Sequence, residues 1–239
     1  MVDAAGARRE TPAMSRPAEP FELTPDILLR AYSIGLFPMA ESAGADTQFW
    51  MDPKLRGVFP LDGMIISRSL GQLIRSDRYE VRANGDFDAV ISACAESAPG
   101  RAKTWINAEI KKLYRALFDI GHVHTIEVLD GGALAGGLYG VSLGAAFFGE
   151  SMFHRARDTS KLALMHLAAR LRLCGCQLLD TQFLTPHLAT LGAVEISRSE
   201  YHAALAAAVE AEASAHVWQP AFRLPGAAVM AALKPESGR

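Results

Sequence analysis

Apolar residues recur along the chain with two periods, and the switch between them lays out the elements. Ile27, Leu28, Ala31 and Tyr32 form the stripe of a helix that Thr24-Pro25 opens, an N-cap followed by proline at the first helical position. Gly35 closes it. A polar loop then leads to Phe49-Trp50-Met51-Asp52-Pro53. The pattern next predicts a strand over 64–66, a polar helix over 67–75, a strand over 79–82 and a helix opened by Asp86. Asn107 caps a helix with Ile110, Leu113, Tyr114, Leu117 and Phe118 on one face and Lys111, Lys112 and Arg115 on the other. From Val123 the period shortens to two. Runs over 123–129, 133–143 and 145–153, with a turn at Asp130-Gly131-Gly132, read as an antiparallel meander. A helix follows, opened at Asp158-Thr159-Ser160, striped by Leu164, Leu167, Ala168 and Leu171 and stopped by Gly175. After it come a short apolar strand over 176–179, a helix from Thr185-Pro186 to Gly192, a strand over 194–196 and an Ala-rich helix. This order predicts an α+β fold, a mixed sheet with flanking helices. The expected organisation is an aperiodic tail over 1–20 that reads as disordered, a small α+β domain over 21–98 and a larger domain over 99–239.

Composition narrows the class. With 239 residues, 50% of them hydrophobic, the chain can bury a large core. Its net charge of -2 excludes a globally basic nucleic-acid binder, so any polyanion site is a local patch. Three cysteines, two of them at Cys174 and Cys176, make neither a disulfide framework nor a zinc spacing, and no metal is expected. His122 and His124 share a strand face but lack a third ligand at a natural spacing. No apolar run reaches the roughly 18 residues of a membrane span, and the start has no signal-peptide core, so a cytoplasmic location is expected.

The chemistry gathers between Phe147 and Gln182. An apolar strand carries Glu150, a basic turn holds Arg155 and Arg157, and a second strand ends in Asp180-Thr181-Gln182. Strict alternation puts Phe147, Gly149 and Ser151 on one face and Phe148, Glu150 and Met152 on the other, with Glu150 beside an apolar wall. Asp180 and Gln182 lie at the carboxyl end of a buried strand, where ligands bind in open sheets. Trp50 stands near Lys54 and Arg56, and Trp105 follows Arg101 and Lys103; an aromatic beside basic residues is a stacking site for a base, or a small-core plug. Gly149-Glu150-Ser151 lacks the second glycine of a nucleophile elbow, since Phe153 occupies that place, which argues against a serine hydrolase. The glycines between 131 and 149 match neither a dinucleotide nor a P-loop fingerprint.

The element order after the meander resembles the GNAT-type acetyltransferase fold, which binds acetyl-CoA through a glycine-rich loop before its main helix. Here that place reads Arg155-Ala156-Arg157-Asp158-Thr159-Ser160, without a glycine, so an acyl donor other than CoA is implied and no cofactor is expected. Phe49-Trp50 with Asp52-Pro53, Thr104-Trp105-Ile106, Phe148-Gly149-Glu150-Ser151-Met152-Phe153, Ser160-Lys161, Asp180-Thr181-Gln182 and Thr190-Leu191-Gly192-Ala193 together resemble the bacterial leucyl/phenylalanyl-tRNA-protein transferase family. The resemblance runs over residues 24 to 205. It implies transfer of Leu, and less efficiently Phe or Met, from aminoacyl-tRNA to the α-amine of proteins that begin with Arg or Lys, marking them for degradation. An aminoacyl ester is already activated, so the expected catalytic pair is Asp180 and Gln182, with Asp180 orienting Gln182 toward the attacking amine. Glu150 either binds the cationic first residue of the acceptor or forms a salt bridge to Arg155. By resemblance Trp50 and Trp105 would stack on the terminal adenosine. Leu138, Phe147, Met152, Leu164, Leu167 and Leu179 would line the amino-acid pocket, with Arg101, Lys103, Arg155 and Arg157 on tRNA phosphates. Two other readings stay open: a CoA-dependent N-acyltransferase and a noncatalytic RNA-binding module.

Overall fold

The Thr24 hydroxyl accepts from the Ile27 N–H at 3.3 Å and starts α1 (Pro25–Ser33), which buries Leu28, Ala31 and Tyr32. The computed structural model describes residues 23–40, 48–96 and 104–234. A two-stranded ribbon follows, β1 (Phe37–Ala40) antiparallel to β2 (Gln48–Met51). Then come β3 (Leu55–Phe59), α2 (Arg68–Arg75), β4 (Glu80–Ala83), α3 (Phe87–Ala95) and α4 (Ala108–Asp119). The meander is β5 (Val123–Asp130), β6 (Ala133–Leu143) and β7 (Ala146–His154). α5 (Thr159–Cys174) leads to β8 (Leu178–Gln182), α6 (Pro186–Ala189), β9 (Val194–Ser197) and α7 (Arg198–Glu210). A 3-10 turn over Ala215–Trp218 and α8 (Gly226–Ala232) complete the described chain.

Seven strands form one mixed, mostly antiparallel sheet in the order β4-β5-β6-β7-β8-β3-β9. The β7–β8 pair is parallel because α5 crosses over between them and returns the chain in the same direction. Gly175, at φ +82, ends that helix as expected. The α+β class therefore holds. β3 and β4, which lie before residue 98, are built into the same sheet as the later strands.

Helices cover both faces. On one, α5, α2 and α8 pack over Leu138, Phe147, Leu164 and Leu179; on the other, Tyr32, Tyr114, Phe148, Phe153 and Tyr201 bring α1, α4 and α7 against the sheet. One local expectation fails and several elements were not foreseen. Residues 64–66 form no strand. The β1–β2 ribbon and β3 escape pattern reading, because β1 contains Pro38 and β3 carries a buried arginine, Arg56, which breaks the apolar run. The turn and helix that follow the Ala-rich helix α7 were not foreseen either.

Candidate active site

The site begins with an extra residue in β7. Tyr139 pairs with Ser151 and Gly140 with Gly149, so Glu150 is bulged out of the β6–β7 register. Strict alternation is thereby broken: Phe147 and Met152 belong to one core cluster, Phe148 and Phe153 to the other. Met152 therefore leaves the face that it was expected to share with Glu150. The bulge turns the Glu150 carboxylate toward Tyr32 and Tyr114.

Its two oxygens meet three donors. Oε1 accepts from the Tyr32 hydroxyl at 2.6 Å and from the Gln182 side-chain amide at 3.2 Å, and Oε2 from the Tyr114 hydroxyl at 3.1 Å. The two hydroxyls are themselves 2.7 Å apart. Burial nevertheless pushes the Glu150 carboxyl up from its ordinary 4.5 to about 7, against the pull of the two tyrosine hydrogen bonds. Both tyrosines are raised well above their ordinary value, chiefly by burial and then by the Glu150 charge.

Asp180 is fully buried and does not line the cavity. Arg56, 1% exposed, holds it from the next strand: Nε lies 3.0 and 3.1 Å from its two oxygens and Nη2 lies 2.6 Å from Oδ2. The Tyr201 hydroxyl donates to Oδ2 at 2.7 Å and the Gln182 backbone N–H to Oδ1, also at 2.7 Å. That last bond closes a tight local turn. Gln182 has φ +58, a left-handed conformation that side chains other than glycine rarely adopt.

A cavity of about 330 Å³ opens beside this network, with Glu150 and Gln182 in its wall. Of the expected pocket residues, Leu138, Met152, Leu164, Leu167 and Leu179 line it. Phe147 does not; it is buried and stacks on Trp218 at 5.6 Å between ring centroids. Pattern reading gave no pocket role to Thr181 and missed Phe59 on β3 and Phe183, Thr185, His187 and Leu188, which continue from Gln182 into α6. The only signal for the last four was their adjacency to Asp180-Thr181-Gln182. Trp50 and Trp105 are half-buried against the second core cluster and neither lines the cavity, although Trp105 meets Tyr114 edge to face at 6.3 Å. Arg155 is paired with Glu96 at 2.7 Å, whereas the Arg157 side chain is 92% exposed and lies 3.4 Å from Asp158. Arg101 and Lys103 lie outside the described residues. Among the described residues no group of His, Cys, Asp and Glu could hold a metal ion, and no helix is long and apolar enough to cross a membrane.

Comparison with known proteins matches this arrangement to one family. Residues 58–206 match the model of leucyl/phenylalanyl-tRNA protein transferase, and residues 21–54 match that of its N-terminal domain. A leucyl/phenylalanyl-tRNA--protein transferase of Afipia carboxidovorans is 58% identical over 196 residues, 82% of this chain and 86% of that protein. One of Rhodopseudomonas palustris is 57% identical over 81% of this chain and 86% of its own length, and one of Nitrobacter winogradskyi is 50% identical over 94% of this chain and 100% of its own. The chain belongs to the leucyl/phenylalanyl-tRNA protein transferase family and is an enzyme, an aminoacyltransferase.

Proposed function

We propose that the enzyme moves leucine, and less efficiently phenylalanine or methionine, from aminoacyl-tRNA to the α-amine of proteins that begin with Arg or Lys, marking them for degradation. The observation that carries this reading is an apolar cavity with one carboxylate and one amide in its wall. Such a wall takes an aliphatic or thioether side chain and excludes polar ones by desolvation, while Glu150 and Gln182 supply the polar contacts that orient an amine.

The ester of an aminoacyl-tRNA is already activated. Attack by the acceptor nitrogen on the carbonyl carbon forms the amide bond, the ester C–O bond breaks, and the proton lost by nitrogen goes to the departing 3'-oxygen or to water. No covalent nucleophile is needed, so orientation is the main contribution of the protein. Gln182 donates its amide N–H to Glu150. Its carbonyl oxygen is thereby left to accept from the attacking amine and to direct the lone pair. Asp180 acts through Gln182, holding its backbone. Glu150 binds the cationic side chain of the acceptor's first residue by charge-assisted hydrogen bonds. Trp50 and Trp105 hold the terminal adenosine by stacking, worth roughly 1–3 kcal/mol per base.

Transfer of radiolabelled leucine from leucyl-tRNA to a peptide beginning with Arg, run beside one beginning with Ala, tests the reading. Label on the Arg peptide alone is the expected result. Label on neither, with leucyl-tRNA intact and bound, would reduce the protein to an RNA-binding module.

A further inference from the structure

Arg56 holds Asp180 but has no part in the transfer step as described, and it is among the largest fully buried side chains of the protein. Its guanidinium is sandwiched between the rings of Phe37 and Tyr201, with Cζ 4.4 Å from each ring centroid. Nη1 donates to the Gly35 carbonyl at 3.0 Å, at the end of α1, and the other two nitrogens take the Asp180 carboxylate. One side chain thus ties β1, α1, α7 and β8 together directly behind Gln182. Asp180 can anchor the left-handed Gln182 only while its own charge is matched, because a buried carboxylate without a partner reorganises or takes up a proton.

We propose that Arg56 is a positioning residue for the transfer step: it clamps Asp180 so that Gln182 presents its amide to Glu150 and the cavity, and it balances the buried negative charge next to Glu150. The inference deepens the proposed function and rests on it. Lysine cannot replace the fork, since it is a point charge with no planar pair of donors. The charge-balancing part follows from the groups that face Glu150: Tyr32 on α1, Tyr114 on α4, Asp180 and Gln182 on β8, and Arg56 on β3. Tyr139 and His187 line the same cavity. Of the charged pair, Asp180 holds the Glu150 proton on and Arg56 draws it off.

The test compares wild type with Arg56→Lys, Arg56→Met and Tyr201→Phe, each checked for folding by circular dichroism, in leucine transfer to the Arg peptide across pH 5.5 to 9. For both Arg56 variants kcat should fall by about 30-fold or more while KM for leucyl-tRNA stays within about 3-fold, the signature of lost orientation rather than lost binding. In Arg56→Met the acid limb of the profile should move to higher pH, because Asp180 then faces Glu150 uncompensated; in Arg56→Lys it should stay in place. A folded Arg56 variant with wild-type kcat, or an Arg56→Met profile with an unmoved acid limb, overturns the proposal. If Arg56→Met does not fold, Tyr201→Phe decides. It removes one hydrogen bond from Asp180 without removing a charge, and a drop in kcat of about 3-fold or more at constant KM supports the clamp. Wild-type kcat in Tyr201→Phe would then reject it. Failure of the wild-type protein to transfer leucine at all would instead sink the proposed function, and this inference with it.

Discussion

Glu150 accepts three hydrogen bonds and still keeps its proton to about pH 7, so at this residue burial outweighs donor stabilisation. The direction fixes the linkage. A carboxyl raised in the folded state contributes stability that is complete below about pH 4.5 and is lost as pH rises to about 7, on the order of 2 kcal/mol for this half-buried group. Urea unfolding of wild type at pH 5 and pH 8 should show that loss, and Glu150→Gln should remove most of it; an equal pH slope in the variant would assign the titration elsewhere. In the transfer assay the same substitution should raise KM for the Arg peptide by about 10- to 100-fold and leave leucyl-tRNA binding within about 3-fold, as loss of one charge-assisted contact does. Sequence pattern located Glu150 and Gln182 because an acid and an amide near strand ends have little packing reason to be there. It could not find their partners. Tyr32 and Tyr114 fit an apolar helical stripe by their rings, and nothing in a stripe says that their hydroxyls meet over a carboxylate 118 and 36 residues away. Arg56 read as the basic neighbour of Trp50, since an arginine counts as surface until its partner, 124 residues distant, is in place.

At the level of elements, the site depends on one bulge, and the bulge depends on a glycine opposite it. A Cβ on Gly140 would run into the Phe148 carbonyl and the Phe147 ring, so β6 and β7 keep this register only with hydrogen at that position. Gly140→Ala is expected to cost about 1–3 kcal/mol in chemical denaturation, the range of overpacking a filled site, and to lower transfer by displacing Glu150. A variant with wild-type stability would show that β7 slips at no cost. The long elements were the legible ones: the meander, α5 with its terminal Gly175, and the acid and amide at the end of β8 all follow from period and punctuation. A bulge was not legible. Period-two reading assumes an unbroken pleat, which is why it assigned Met152 to the wrong face. The ribbon β1–β2 was equally silent, since four residues containing a proline carry too few positions for a pattern to form.

Over the whole molecule, the chain beyond the family-matched region closes the core beneath the site. Trp218, 8% exposed, stacks on His124 with ring centroids 4.2 Å apart and planes 3° from parallel, and also covers Phe147. Buried Arg170 on α5 holds the same segment, donating to the Val217 carbonyl and lying 5.0 Å over the Phe222 ring. Trp218→Ala should therefore cost about 3–5 kcal/mol, read by thermal unfolding, although this residue lies outside the matched span. The polyanionic substrate makes a second demand at this scale. A chain with net charge -2 gains nothing from its overall field, so attraction for tRNA must come from individual cations. The two described arginines proposed for phosphate differ in availability: Arg155 is engaged with Glu96, whereas Arg157 projects into solvent. Each phosphate contact contributes roughly 0.7–0.9 to the slope of log activity against log salt at subsaturating tRNA. Arg157→Ala should flatten that slope by about one such contact without changing kcat at saturating tRNA, because a lost phosphate contact weakens capture and leaves the reacting groups in place. A slope identical to wild type would place the phosphate path away from the α5 N-terminus. A loss of kcat at saturation would put Arg157 in the chemistry itself.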